Sequence, residues 1–213
     1  MNKISDNLSM DLFEGSDQSL KNWLHRDGTV NYYGVVFSPR TANACYQQLL
    51  NNTLWRNDES AMYGKHIITK RKVAWYGSQP FRYTYSNASK IALPWTPLLC
   101  KLKEKVELVT GESYNSCLLN LYHDGTEGVG WHSDNEKDLK PHGAIASLTF
   151  GAERKFSFKH KESQETINLL LQHGSILVMK DEIQHYWLHK LPATTQIHSP
   201  RINLTFRTII QTK

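Results

Sequence analysis

The chain changes texture near residue 112. Before it, apolar positions recur at helical intervals in two places; after it, they fall into short alternating or wholly apolar runs separated by polar turns. The first helical run spans Thr41 to Asn51 and is opened by Ser38-Pro39, a hydroxyl and a ring suited to the first turn of a helix. In the second, Leu99, Leu102, Val106 and Val109 repeat between Pro97 and Gly111, and the glycine ends the helix. Tyr32 to Phe37 reads as the first strand. Past residue 112, strands are predicted at Cys117–Leu121, Ala144–Phe150, Lys155–Phe158, Thr166–Leu171, Ser175–Met179, His185–Leu191 and Ile202–Ile210. Turns such as Gly151-Ala152-Glu153, His173-Gly174 and Lys180-Asp181 separate them. The pattern predicts an α+β, mainly β fold: a double-sheet antiparallel jelly roll, or double-stranded β-helix, over residues 112–213, with two supporting helices.

The last strand has two unlike faces. Ile202, Leu204 and Phe206 alternate with Arg201, Asn203, Thr205 and Arg207, so both arginines point the same way. Six residues of strand span roughly 20 Å, too far for the pair to clasp one carboxylate side by side. They suit opposite ends of a site for a small organic acid, which a guanidinium grips bidentately.

A metal site is suggested upstream. In an extended Trp131-His132-Ser133-Asp134 segment, residues i and i+2 project from one side, so His132 and Asp134 can converge on an ion. His185 and His189 stand an even number of residues apart, and spacing leaves both open as a third ligand. Two imidazoles and a carboxylate form the triad that holds one face of a ferrous ion and leaves the other for an organic cosubstrate and dioxygen. Alone, a His-x-Asp pair in a chain with ten histidines is usually a polar loop, and strand arginines are usually a solvated face. In this order they read as an iron(II)- and 2-oxoglutarate-dependent dioxygenase.

Composition narrows the setting. The 213 residues, with a hydrophobic fraction of 39%, suit one soluble domain. A formal charge of +5 favours a polyanionic partner. Lys65, Lys70-Arg71-Lys72, and Lys155, Lys159 and Lys161 are the clusters placed to meet a phosphate backbone. Three cysteines without metal-ligand spacing suggest reduced thiols in the cytoplasm, or in the nucleus of a eukaryote. Met1 to Leu20 is polar, neither a signal peptide nor a membrane anchor. The expected organisation is a flexible lead-in over 1–30 and a single domain over 31–213. Between the helices, Met62-Tyr63-Gly64-Lys65-His66, Trp75-Tyr76-Gly77 and Phe81-Arg82-Tyr83-Thr84-Tyr85 mix rings and cations. That mixture fits stacking on bases beside phosphates, or equally a hairpin with a packed aromatic face.

The stretch Asn120-Leu-Tyr-His-Asp-Gly-Thr-Glu-Gly-Val-Gly-Trp-His-Ser-Asp-Asn-Glu136, followed by Ile145-Ala-Ser-Leu-Thr-Phe-Gly151 and Pro200-Arg-Ile-Asn-Leu-Thr-Phe-Arg207, closely resembles the AlkB family of nucleic acid dealkylases, most of all its DNA-repair branch. The resemblance is densest from Met62 to Thr208. It implies iron(II), 2-oxoglutarate and dioxygen as cofactors, and it selects His189 over His185, as the histidine of an aromatic-x-His-x-aliphatic-Pro segment. Asn120, Tyr122, Arg201, Asn203 and Arg207 would bind 2-oxoglutarate, with Arg201 on its distal carboxylate and Arg207 near the chelating end. Glu136, Tyr83 and Tyr85 would meet the damaged base. Residues 55–90 would form a recognition lid whose Met62-Tyr63-Gly64 tip wedges into a duplex; relatives often carry phenylalanine at the tip. The implied reaction demethylates bases such as 1-methyladenine or 3-methylcytosine in DNA, with release of formaldehyde, succinate and carbon dioxide, by a monomer. A base inside a duplex must first be extruded. Two other classes share these residues: an RNA or protein demethylase, or a nucleic-acid-binding module that turns nothing over.

Overall fold

Both helices begin and end where local chemistry dictates. The first, α1 (Pro39–Asn52), is capped by Ser38, whose side chain accepts the Thr41 N–H, and buries Ala42, Cys45 and Leu49. The second, α2 (Pro97–Thr110), is capped by Thr96 accepting from Leu99, and stops at Gly111, whose φ of 72° favours glycine. Its Leu99, Leu102 and Val106 are buried. At about 1.5–3 kcal/mol per fully buried aliphatic side chain, that stripe fixes the helix against the sheet.

The computed structural model describes residues 20–62, 65–85 and 88–210, without the side chains of 60–62, 65–67, 83–85 and 88–90. The strands are β1 (Thr29–Val35), β2 (Arg56–Met62), β3 (Lys65–Gly77), β4 (Arg82–Tyr85), β5 (Ala88–Ile91), β6 (Leu93–Pro94), β7 (Ser116–Tyr122), β8 (Val129–His132), β9 (Ile145–Gly151), β10 (Arg154–His160), β11 (Thr166–Leu171), β12 (Ser175–Lys180), β13 (Trp187–Leu191) and β14 (Arg201–Arg207); a one-turn helix, α3 (Ile183–Tyr186), precedes β13. The larger sheet runs β1-β12-β9-β14-β7-β3-β2, with β6 alongside β3, and the smaller runs β11-β10-β13-β8. Strands β4 and β5 pair apart as a ribbon. Apart from the parallel β3–β6 contact, the pairings are antiparallel. This is the expected jelly roll.

Period-two alternation explains the packing. Ile202, Leu204 and Phe206 share a face with Leu119, Leu121, Leu148 and Phe150, and this face packs with both helices into one core. The opposite face meets the smaller sheet through a second core of Ile145, Leu177, Met179, Phe158, Leu169 and Trp187. Between the sheets, toward the β14–β8 side, the side chains turn polar.

Several expectations shift. The first strand starts earlier, at Thr29, because the Asn22 side chain accepts the Val30 and Leu24 N–H groups and draws the chain into register. Leu24 is buried and Arg26 accepts from the Trp187 indole, so residues 20–30 are folded onto the body. The run expected as one strand over His185–Leu191 is split: His185 lies on α3, and β13 begins at Trp187. The last strand ends at Arg207 rather than Ile210. Strand β8 is too short and polar to show periodicity, and the hydrophobic pattern does not predict it. Much of β3 pairs with β7 inside the larger sheet, where Tyr76 is buried in the core. No helix among the described residues is long and apolar enough to cross a membrane.

Candidate active site

The smaller sheet sets two imidazoles face to face. In the β8–β13 pairing, His132 is the direct partner of His189, so both side chains leave the same face. Their ring centroids are 4.3 Å apart. Asp134 lies two residues beyond His132, past the end of β8, and its backbone N–H donates to the Gln184 side chain at 2.8 Å. One donor atom from each of His132, Asp134 and His189 lies within 4.8 Å of the others. His185, left open by spacing, lies on the short helix α3 and is not in the cluster.

The protonation pattern fits a cation. Burial pushes the His189 imidazole down to about 4, against the pull of Asp134, so it is neutral at physiological pH. His132 places Nδ1 at 2.9 Å from the Gly130 carbonyl, an acceptor only, so Nδ1 carries a hydrogen and Nε2 is the nitrogen presented to the cluster. That Nε2 lies 3.7 Å from Asp134 Oδ1. Burial would raise the Asp134 carboxyl, but Arg207 first, and then His189 and His132, hold it below its ordinary value. Its other oxygen, Oδ2, accepts from Arg207 Nη2 at 2.6 Å. The result is a neutral His189, an oriented His132 and an ionised, oriented carboxylate. Side-chain exposure is 39% for His132 but 6% for Asp134, which puts the open side of the cluster at His132.

The arginine strand lies opposite. On β14, Arg201 pairs with Tyr122 and Gly151, and Asn203 with Asn120 and Thr149, so these side chains gather on the buried polar face of the larger sheet. Arg201 is 2% exposed, and its Nη2 donates to Thr149 Oγ1 at 2.9 Å and Asn203 Oδ1 at 2.7 Å. Ser147 also donates to that amide oxygen, at 2.7 Å, and the Asn203 NH2 donates to Thr205, so Asn203 serves to hold Arg201. Burial pushes the Arg201 guanidinium down to about 10. Its Nε is buried and makes no hydrogen bond among the described residues. A buried cation whose hydrogen-bond partners are neutral, with a donor unused among the described residues, is what an incoming carboxylate satisfies. Tyr122 lies beneath it, ring centroid 5.5 Å from the guanidinium carbon, and Arg71, paired with Asp58, approaches the same ring.

Arg207 stands at the metal end, as its six-residue separation from Arg201 required. Glu136 Oε1 is 3.9 Å from its Nη1, and Glu136 Oε2 is buried without a hydrogen bond among the described residues. A cavity of about 240 Å³ opens beside Asp134, Glu136 and Arg207. Met62, Tyr83 and Tyr85 lie on β2 and β4, their side chains outside the described residues; Tyr63 and Gly64 lie outside them altogether. Two contributors are not legible in the sequence. Gln184, which orients Asp134, carries no signal beyond its nearness to His185. Arg154, buried at the start of β10 beside Lys155, looks in the sequence like one more basic residue.

A jelly roll that closes two histidines and a carboxylate around one point, with a buried arginine facing them, defines an iron(II)- and 2-oxoglutarate-dependent oxygenase. Comparison with known proteins agrees: residues 29–207 match the 2OG-Fe(II) oxygenase superfamily. The chain is 36% identical to mouse DNA oxidative demethylase ALKBH2, over 93% of this chain and 90% of the mouse protein. The human protein of that name is 35% identical over 93% and 81%. Bovine alpha-ketoglutarate-dependent dioxygenase alkB homolog 3 is 37% identical over 80% of this chain and 62% of its own length. Among solved structures, that of OsALKBH1 superposes with a TM-score of 0.60 over 89% of this chain and 100% of that one; at 13% identity it speaks to the fold alone. The chain belongs to the AlkB family of 2OG-Fe(II) oxygenases, on the branch that holds the ALKBH2 and ALKBH3 proteins. Iron(II), 2-oxoglutarate and dioxygen are accordingly its cofactors.

Proposed function

We propose that this enzyme oxidatively demethylates N-alkylated bases in DNA, of the 1-methyladenine and 3-methylcytosine type, releasing formaldehyde, succinate and carbon dioxide. The observation that carries the reading is the convergence of His132, Asp134 and His189 opposite a buried Arg201, in a chain whose relatives over most of its length are named DNA oxidative demethylases.

His132 Nε2, Asp134 Oδ1 and His189 would hold iron(II), leaving one side open. Such a metal, with 2-oxoglutarate and dioxygen bound, would supply the oxidising chemistry, one oxygen atom going to succinate as the keto acid loses carbon dioxide and the other to the alkyl carbon. Arg201 neutralises the distal carboxylate, with Asn203 and Thr149 fixing the guanidinium and Asn120 and Tyr122 flanking the acid. Arg207 keeps Asp134 ionised and aims one oxygen inward by occupying the other. Glu136, with one oxygen free of hydrogen bonds among the described residues, offers an acceptor to an exocyclic amino group of a base above the open His132 side.

Residues 55–90, which take in the β2–β3 hairpin and most of the β4–β5 ribbon, would form the lid over an extruded base, with Tyr63 as the wedge and Tyr83 and Tyr85 against the base. Because one copy carries every residue named, we infer a monomer, working in the cytoplasm or, in a eukaryote, the nucleus. RNA is the alternative polymer. Formaldehyde release from 3-methylcytosine in single-stranded DNA, duplex DNA and RNA, measured side by side, tests the assignment. Turnover on DNA above RNA supports it; turnover confined to RNA overturns the substrate, and no turnover with no 2-oxoglutarate consumption overturns the enzyme.

A further inference from the structure

Three stretches of chain deliver the site. Loop 123–128 leads into β8 and His132; segment 192–200 leads from β13 and His189 to Arg201; and the turn 152–153 follows Gly151, the cross-strand partner of Arg201. Arg154 stands where they meet. It is 1% exposed, and its Nη1 donates to the Asp124 carbonyl at 3.2 Å. Its Nη2 is shared among the carbonyls of Gly125 at 3.1 Å, Glu127 at 2.9 Å and Pro192 at 2.9 Å. All four acceptors are main-chain atoms, three on the loop before His132 and one just after the strand of His189. Burying a guanidinium is unfavourable unless its donors are used, and here they are used to join two loops.

The same two stretches also close on each other directly. Gly125 donates to Ile197 O at 2.7 Å, and Thr194 donates to Gly125 O at 2.8 Å. The approach leaves no room for a side chain: a Cβ at Gly125 would lie 2.5 Å from Thr194 O, and one at Gly128 would lie 2.4 Å from Leu191 O. On the third side, Ala152 donates to Pro200 O at 2.9 Å, next to Arg201.

We propose that Arg154 is a positioning residue: its fork of donors locks loop 123–128 to the segment after β13, and so holds His132 opposite His189 while setting Arg201 at its distance from them. It acts through main-chain carbonyls. Arg154 therefore governs the affinity of the site for both its metal and its dicarboxylate, an inference that rests on the dioxygenase reading above. A lysine at this position keeps the charge but, as a point donor, cannot span two loops at once.

The test uses the full chain with Mn(II) as a redox-silent metal, so that no turnover is needed. Arg154→Lys removes the fork; Gly125→Ala forces the same two stretches apart with Arg154 intact. Calorimetric titration with Mn(II), and then with 2-oxoglutarate in the presence of Mn(II), should show each variant binding both about tenfold or more weakly, the range typical of groups that orient metal ligands. A role in stability alone would lower the unfolding temperature and leave both affinities of the folded protein unchanged; that result overturns the proposal. If Arg154→Lys fails to fold, the two affinities of Gly125→Ala decide between these outcomes. Failure of the unaltered chain to bind Mn(II) and 2-oxoglutarate would instead overturn the dioxygenase reading, a separate outcome.

Discussion

Replacing Arg201 with methionine should separate stability from function. The guanidinium is protonated at neutral pH in the folded and unfolded chain alike, yet burial pushes it from its ordinary value down to about 10 in the fold. The sign follows: a base with a lowered native pKa penalises the folded state at all pH values below that pKa, and relief comes only as pH rises through 10. At 1.36 kcal/mol per unit the penalty is about 3 kcal/mol. Against it stand the bonds to Thr149 and Asn203, roughly 1.5–3 kcal/mol for a charged donor. Arg201→Met should therefore leave the unfolding temperature of the cosubstrate-free protein unchanged or a few degrees higher. Cosubstrate binding should collapse. Losing one partner of a buried charged pair costs on the order of 2–5 kcal/mol, or about 30-fold to several thousand-fold in affinity. With Mn(II) and 2-oxoglutarate at about 100 times its dissociation constant, the unaltered protein should gain about 2.7 kcal/mol. That is about 5–10 °C for a domain of this size. The variant should gain almost nothing at the same concentration. A full 2-oxoglutarate shift in Arg201→Met would refute the assignment of Arg201 as carboxylate anchor, and a drop of several degrees without ligand would refute the view of Arg201 as a strained cation awaiting its partner.

Three further outcomes follow from the site. Alanine at His132, Asp134 or His189 should each abolish metal-dependent decarboxylation of 2-oxoglutarate, whereas His185→Ala should retain it; an inactive His185→Ala beside an active His189→Ala would reverse the choice of ligand. The metal-free protein should be acid-labile: the unfolded His189 imidazole takes up a proton near 6.5 and the native one near 4, so urea-unfolding stability should be full above pH 6.5 and fall by on the order of 3 kcal/mol toward pH 4. Asp134, with its lowered native value, should add to the loss below pH 3.8, and a flat profile between pH 6.5 and 4 would contradict the burial of His189. Finally, Tyr63→Ala should slow repair of a methylated base in duplex DNA far more than in a single strand, with Tyr63→Phe nearly normal on both; equal losses on the two substrates would remove the wedge.

Elements whose signals are local were legible in the chain. Ser38-Pro39 and Pro97 with Gly111 bracketed the two helices to within two residues, because caps and breakers act on neighbouring backbone groups. Alternation in β14 gave both the apolar face that meets the helices and the polar face that carries Arg201 and Arg207, because a strand has a period of two wherever it sits. Between His185 and His189 the family resemblance pointed to His189, but the physical reason lies in the tertiary structure. Spacing allowed both; the β8–β13 register sets His189 against His132, and a helical turn breaks the run before Trp187 and carries His185 away. The supporting groups were equally illegible. Gln184 reaches Asp134 from 50 residues away, and Arg154 binds the carbonyls of two loops. Such contacts depend on which segments fold back on each other, a long-range outcome of core packing that leaves no periodicity in the chain to read.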